Sequence, residues 1–165
     1  MKNLLIMRHA KSDWANNSPD IDRPLNKRGK KAAPFMGEEL INRNKIPDLI
    51  LSSPAKRARC TAERVIEVIN YKKELVVVKD FYFGHMANII GTINSISNDN
   101  NIIMIVGHNP IWEDLIMSLI NTKNYIVMPT AAIASLIFET DDWQNIKENS
   151  AKLEWIITPK GLKDE

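Results

Sequence analysis

The stretch Leu4-Leu5-Ile6-Met7-Arg8-His9 decides how the chain is read. Four apolar residues run together with no polar alternation and lead straight into an arginine and a histidine. A short, unbroken apolar run is the pattern of a strand buried on both faces, as in a parallel sheet covered by helices. The next residues, Ala10-Lys11-Ser12-Asp13-Trp14, are polar and loop-like. Open α/β sheets bind their ligands beyond the carboxyl ends of the strands. Arg8 and His9 therefore sit where such a sheet places its crevice, His9 as a candidate nucleophile and Arg8 as a phosphate clamp.

Two more segments repeat this plan. Leu49-Ile50-Leu51-Ser52 is a second buried strand, and Ser53-Pro54 after it reads as a serine cap with proline at the first helical position. Ile102-Ile103-Met104-Ile105-Val106 is the most apolar strand, expected at the sheet centre, and it ends at Gly107-His108. Asn109-Pro110 repeats the cap-plus-proline signature. If these strands run parallel, Arg8-His9, Ser53 to Arg57 and Gly107-His108 converge on one edge of the sheet.

The intervening sequence supplies the helices. Asn26 caps a helix expected to reach about Asn42, with Ala32, Ala33, Met36 and Leu40 on one stripe. Pro34 inside it predicts a kink or a late start. Ala58, Ala62, Val65, Ile66 and Ile69 form the inward stripe of a second helix. Ile89, Ile93 and Ile96 mark a third, and Trp112, Leu115, Ile116 and Leu119 a fourth, with Glu113 and Asp114 near its positive end. Leu75 to Val78 reads as a third strand before an aromatic loop over residues 80–86. Ile133 to Phe138 and Leu153 to Ile157 read as the last strands. Residues 14–25, including Asn16-Asn17-Ser18-Pro19, read as loop. Strands alternating with helices predict an α/β fold, a three-layer α/β/α sandwich with a mostly parallel sheet, formed by one domain over residues 1–165.

Composition narrows the function. The 165 residues are 44% hydrophobic and 25% charged, the balance of a globular domain, and the net charge of +2 points to neither nucleic acid nor a membrane surface. A single cysteine allows no internal disulfide, which fits a reducing compartment. The first apolar stretch is too short for a signal peptide and lacks a cleavage site. A cytoplasmic protein is expected. Gly-x-x-x-x-Gly-Lys is missing, so a P-loop is not indicated. Position 66, where a Cys-x5-Arg loop starting at Cys60 would need arginine, is isoleucine. Asp20-Ile21-Asp22 comes after a polar loop rather than an apolar strand, against an aspartyl phosphatase. The three histidines are far apart and without a carboxylate-rich setting, so no metal site is indicated.

Two histidines and two arginines gathered in one crevice suit phosphoryl transfer. Arginine offers a planar fork for phosphate oxygens, and Arg57 falls in the first turn of its helix, where free N–H groups also favour an anion. A neutral imidazole can attack phosphorus. Taken one at a time, His9 reads as a structural histidine at a strand end, and Arg23 and Arg57 as surface charges. The combination is what gives them weight.

That combination resembles the histidine phosphatase (phosphoglycerate mutase-like) superfamily, and within it the short phosphohistidine phosphatase branch. Arg8-His9-Ala10 resembles the Arg-His-Gly signature. Ser53-Pro54-Ala55-Lys56-Arg57-Ala58-Arg59-Cys60-Thr61-Ala62 resembles its Ser-Pro-x-x-Arg-Ala-x-x-Thr-Ala segment. Gly107-His108-Asn109-Pro110 resembles the segment of the second histidine. Asp22-Arg23-Pro24-Leu25-Asn26 and Pro129-Thr130-Ala131-Ala132 fit the short branch. The resemblance implies that His9 takes the phosphoryl group, that Arg8, Arg57 and His108 bind it, and that Arg23 is a further ligand, filling in for the asparagine that the mutase branch places where this chain has Ala15. It implies no metal or organic cofactor. Alanine in place of the glycine puts a Cβ beside the pocket while leaving the carbonyl free to orient His9.

Many members carry a carboxylate after the third strand as general acid. This chain offers only Asp80 and His85 there. A phosphorus–nitrogen bond needs less help, because the leaving imidazole can arrive protonated. The expected partner is therefore a phosphorylated protein bearing phosphohistidine. A phosphatase of small phosphate monoesters is the first alternative, and a non-catalytic phosphate-binding module the second.

Overall fold

A computed structural model describes residues 1–15 and 17–160; Asn16, which the sequence places in a loop, lies outside the described residues. The strands are β1 (Lys2–Arg8), β2 (Leu49–Ser52), β3 (Val76–Val77), β4 (Ile102–Gly107), β5 (Ile133–Phe138) and β6 (Ala151–Ile157). They form one sheet in the order β3-β2-β4-β1-β5-β6. β3, β2, β4 and β1 are mutually parallel, β5 is antiparallel to β1, and β6 is antiparallel to β5. β4 and β1 are central, as the apolar content of Ile102–Val106 predicts.

The alternation of side chains along β1 divides the core in two. Leu4 and Ile6 join Ile103, Ile105 and Leu136 on one face, against Trp112, Leu115, Ile116 and Leu119 of helix α4 (Ile111–Ile120) and Ile89 and Ile93 of α3 (Met86–Asn94). Leu5 and Met7 join Ile50, Met104 and Val106 on the other, against Ala33, Met36 and Leu40 of α1 (Lys27–Asn42) and Ala58, Ala62 and Val65 of α2 (Lys56–Ile69). Leu4, Leu5, Ile6 and Met7 are all 0% exposed. A strand with apolar neighbours on both faces has no use for alternation, so the run at Leu4–Met7 and the three-layer α/β/α sandwich are one fact.

Four local expectations change. α1 starts at Lys27 with the Asn26 side chain accepting from the Gly29 N–H, and it runs through Pro34, so no late start occurs. Helix α2 starts at Lys56, later than Ser53-Pro54 predicts, because the Ser53 hydroxyl accepts from the Ala55 N–H in a turn and pairs with His108. α4 has Pro110 at its N-cap, and Asn109 instead donates from Nδ2 to the Met128 carbonyl. The third strand shrinks to Val76–Val77 on the sheet edge, 41% and 49% exposed, before the chain turns to bury Phe81. Short edges of this kind offer little template for pairing with another chain. Among the described residues, no helix is long and apolar enough to cross a membrane.

Candidate active site

The carboxyl ends of β1, β2 and β4 open into one cleft of about 510 Å³. His9 is pinned there from both sides: its N–H donates to the Gly107 carbonyl of β4, and its carbonyl accepts from the Ala131 N–H before β5. Ala131 adopts a left-handed backbone (φ 65°), a conformation that bulky and β-branched side chains avoid. Ser53 is fixed to the same edge through its N–H and the Val106 carbonyl. Gly107 leaves room that a side chain would fill: a Cβ there would lie 2.6 Å from the Trp112 ring, whose Nε1 donates to the Met7 carbonyl.

The His9 and His108 rings approach with centroids 5.2 Å apart. The Nδ1 of His9 lies 2.7 Å from the Ala10 carbonyl oxygen. That oxygen can only accept, so Nδ1 carries the proton and Nε2 the lone pair. Burial lowers the His9 pKa to about 3, with His108, Arg57 and Arg8 pushing the same way. Burial, then Arg57, lowers that of His108 to about 4. Both rings are neutral at pH 7. His108 Nε2 is 2.8 Å from the Ser53 hydroxyl.

Three arginines line the cleft beside the two histidines. Arg8 donates from Nη1 to the Met128 carbonyl. Arg57 is 5% exposed and donates from Nη1 to the Asp20 carbonyl (2.7 Å) and from Nη2 to its carboxylate (3.2 Å). Arg23, 7% exposed, donates from Nε to the Ser12 hydroxyl and from Nη1 to the Asp20 carboxylate, with its guanidinium 3.6 Å from the centroid of Trp14. The Nε atoms of Arg8 and Arg57 are buried and have no hydrogen-bond partner among the described residues. A neutral imidazole with a fixed lone pair, ringed by guanidinium groups, suits attack on a bound phosphoryl group.

His9, Arg8, Arg57, His108 and Arg23 are thus brought together. Asp80 and His85 are not: both are exposed and neither lines the cleft. Asp80 lies in the short turn that buries Phe81, and His85 precedes α3, its carbonyl accepting from the Asn88 and Ile89 N–H groups. Ala10 also departs from expectation. Its Cβ packs among Leu25, Ala32 and Ala58 on the α1/α2 side and does not line the cleft, while its N–H donates to Thr61 Oγ1, whose hydroxyl donates to the Arg57 carbonyl. Thr61 thereby ties α2 to the segment that follows His9.

Sequence reasoning misses Asp20 and Tyr82. Asp20 Oδ2 accepts from the Tyr82 hydroxyl at 2.7 Å, and this bond heads the influences that hold the carboxyl below its usual pKa, so Asp20 is ionised at neutral pH. The i,i+3 spacing of Asp20 and Arg23 is the only hint the sequence carries. Glu113 does more than complement the helix dipole; it is buried and accepts from the Met128 N–H at 2.8 Å. No group of three or more potential metal-ligating side chains is assembled among the described residues.

Comparison with known proteins bears on the family and the fold. The sequence model of the histidine phosphatase superfamily (branch 1) matches residues 4–82. An uncharacterized chloroplastic protein of Arabidopsis thaliana is 30% identical over 174 residues, covering 96% of this chain and 78% of that protein. Among solved structures, the protein histidine phosphatase SixA complexed with tungstate superposes with a TM-score of 0.85 at 23% identity, covering 98% of this chain and 99% of that one. A putative phosphohistidine phosphatase SixA from Agrobacterium tumefaciens gives 0.78 at 25% identity, covering 96% and 98%. The fold is phosphoglycerate mutase-like, and the chain belongs to the histidine phosphatase superfamily.

Proposed function

We propose that the protein is a phosphatase that hydrolyses phosphohistidine on a protein partner through a covalent phospho-His9 intermediate. The observation that carries this reading is the 2.7 Å approach of His9 Nδ1 to the Ala10 carbonyl oxygen, which assigns the proton to Nδ1, in a cleft lined by three arginines. Nε2 attacks phosphorus without first losing a proton. Arg8, Arg57, Arg23 and His108 meet the charge on the equatorial oxygens. Water then attacks the phosphoenzyme and releases phosphate. No metal or organic cofactor takes part.

The leaving group decides the substrate class. An alkoxide needs a proton from the enzyme, and among the described residues the cleft offers no protonated carboxyl: Asp80 lies outside it, as does the His85 imidazole, and Asp20 is ionised. An imidazole that arrives protonated needs none. The resemblance in fold to the SixA structures supports the same choice.

The test pairs rapid acid- and base-quench trapping of a phosphoenzyme with rates on a phosphohistidine-bearing protein and on small monoesters. Preference for phosphohistidine with an acid-labile phosphoenzyme is expected. Faster cleavage of monoesters favours the ester phosphatase, and binding of phosphate without a trapped intermediate favours a binding module.

A further inference from the structure

Asp20 is the only carboxylate lining the cleft among the described residues. It sits within the seat that would take the anion. Its Oδ1 accepts from Arg23 Nη1 at 2.6 Å, and its Oδ2 from Arg57 Nη2 at 3.2 Å and from the Tyr82 hydroxyl at 2.7 Å. The side chain remains 44% exposed, so part of the carboxylate is open to an incoming molecule. A negative charge in an anion seat weakens every dianionic phosphate that enters. It becomes favourable only when the substrate brings a cation of its own.

Phosphoryl donors differ in this respect. The leaving group of a monoester is uncharged before cleavage and that of an acyl phosphate departs as an anion. The ring of phosphohistidine can carry a proton on the nitrogen that does not bear phosphorus, and it is then a cation with one N–H to donate. We propose that Asp20 sets leaving-group specificity: its carboxylate accepts a hydrogen bond from the protonated ring nitrogen of the substrate phosphohistidine and selects this cation over uncharged leaving groups. The inference rests on the phosphohistidine reading and assigns that reading a residue.

The step balances without a further acid. His9 Nε2 supplies the electron pair of the new P–N bond. The substrate P–N bond breaks, its pair returns to the substrate ring, and the ring leaves as neutral imidazole with its proton still on the other nitrogen. Water adds to phosphorus, the pair of the second P–N bond returns to His9 Nε2, and the proton lost by water stays with the phosphate or its solvent. Asp20 transfers nothing. It stabilises the protonated ring and so raises the fraction of substrate that is ready to leave. Tyr82 and the arginines keep the carboxylate ionised for that role.

The alternative role for Asp20 is a brace that merely orients Arg57 and Arg23, and Asp20→Asn separates the two. Its amide oxygen still accepts from Arg23 or Tyr82, but the charge is gone. The measurement is kcat/KM for a phosphohistidine-bearing protein and for p-nitrophenyl phosphate, with inhibition by inorganic phosphate alongside. The expected result is a fall of roughly tenfold or more in the ratio of phosphohistidine to ester, the scale of one charge-assisted hydrogen bond. Ester kcat/KM rises and inorganic phosphate inhibits at lower concentration. The alkaline limb of the phosphohistidine pH profile moves to lower pH, and Asp20→Glu recovers part of the preference. A parallel fall on both substrates with weaker phosphate inhibition and an unmoved pH profile overturns the inference in favour of the brace. A wild-type enzyme that cleaves only the ester overturns the phosphohistidine reading itself, and this inference with it.

Discussion

His9 Nδ1 is hydrogen-bonded at 2.7 Å to the carbonyl of its own neighbour, Ala10. The residue that orients the ring does so through its backbone, so its side chain is free to serve the core. Ala10→Gly should leave the rate within a few-fold of wild type, because the carbonyl stays where it is. It should cost stability, through a lost buried methyl group and a more flexible unfolded chain, by about 1 kcal/mol. Paired turnover and urea-unfolding measurements check both parts. His9→Ala, in contrast, should abolish turnover and the trapped phosphoenzyme while the protein still folds.

The neutrality of the two histidines has a consequence for pH. Their folded pKa values, about 3 for His9 and about 4 for His108, lie below the unfolded value. Between those limits the unfolded chain binds more protons than the folded one, so stability falls as pH falls. For His9 alone the loss between pH 7 and pH 5 is roughly 2 kcal/mol. Its contribution is present in full above the unfolded pKa and declines as pH falls toward about 3. Urea midpoints at pH 7 and pH 5 should differ more for wild type than for His9→Asn. Equal differences in the two proteins would show that His9 is protonated in the folded state.

Arg57 is placed by two neighbours: Asp20 takes both terminal nitrogens of its side chain, and the Thr61 hydroxyl holds its backbone carbonyl. Arg57→Ala should lower kcat by about 10²–10³-fold, the scale for one preorganised donor to developing charge. Arg57→Lys should recover little, since one ammonium cannot reproduce a planar fork. A kcat within a few-fold of wild type for Arg57→Ala would place the guanidinium outside the reaction.

The parts of the fold and cleft that were legible share a cause. Leu4–Met7, Leu49–Ser52 and Ile102–Val106 could be read because burial on both faces leaves an unbroken apolar run, and the groups just beyond each run must then meet. The parts that were not legible depend on hydrogen bonds across the sequence. Ser53 looks like a helix cap, yet its hydroxyl pairs with a histidine 55 residues away. Asp20 opens a single 3-10 turn, Asp20–Asp22, in a polar segment that reads as loop and carries no periodicity, and only its contacts with Arg23, Arg57 and Tyr82 set it apart. Asp80 and His85 are close in sequence to the expected acid position, but burial of Phe81 fixes that loop and leaves both outside the cleft.

Glu113 supports Arg8 from a distance through one residue, Met128. Its Oε2 accepts from the Met128 N–H, and the Met128 carbonyl accepts from Arg8 Nη1 and from Asn109 Nδ2. Removing the carboxylate orphans an N–H in the interior, a loss of about 1–3 kcal/mol. Glu113→Ala should therefore lower the urea midpoint and also raise KM, since the loop that holds Arg8 and Asn109 loses its anchor. Glu113→Gln, whose amide oxygen can still accept from Met128, should recover most of the stability and of the KM. If Glu113→Ala unfolds more easily while KM stays at the wild-type value, Met128 is held by the rest of the loop and the carboxylate serves α4 alone.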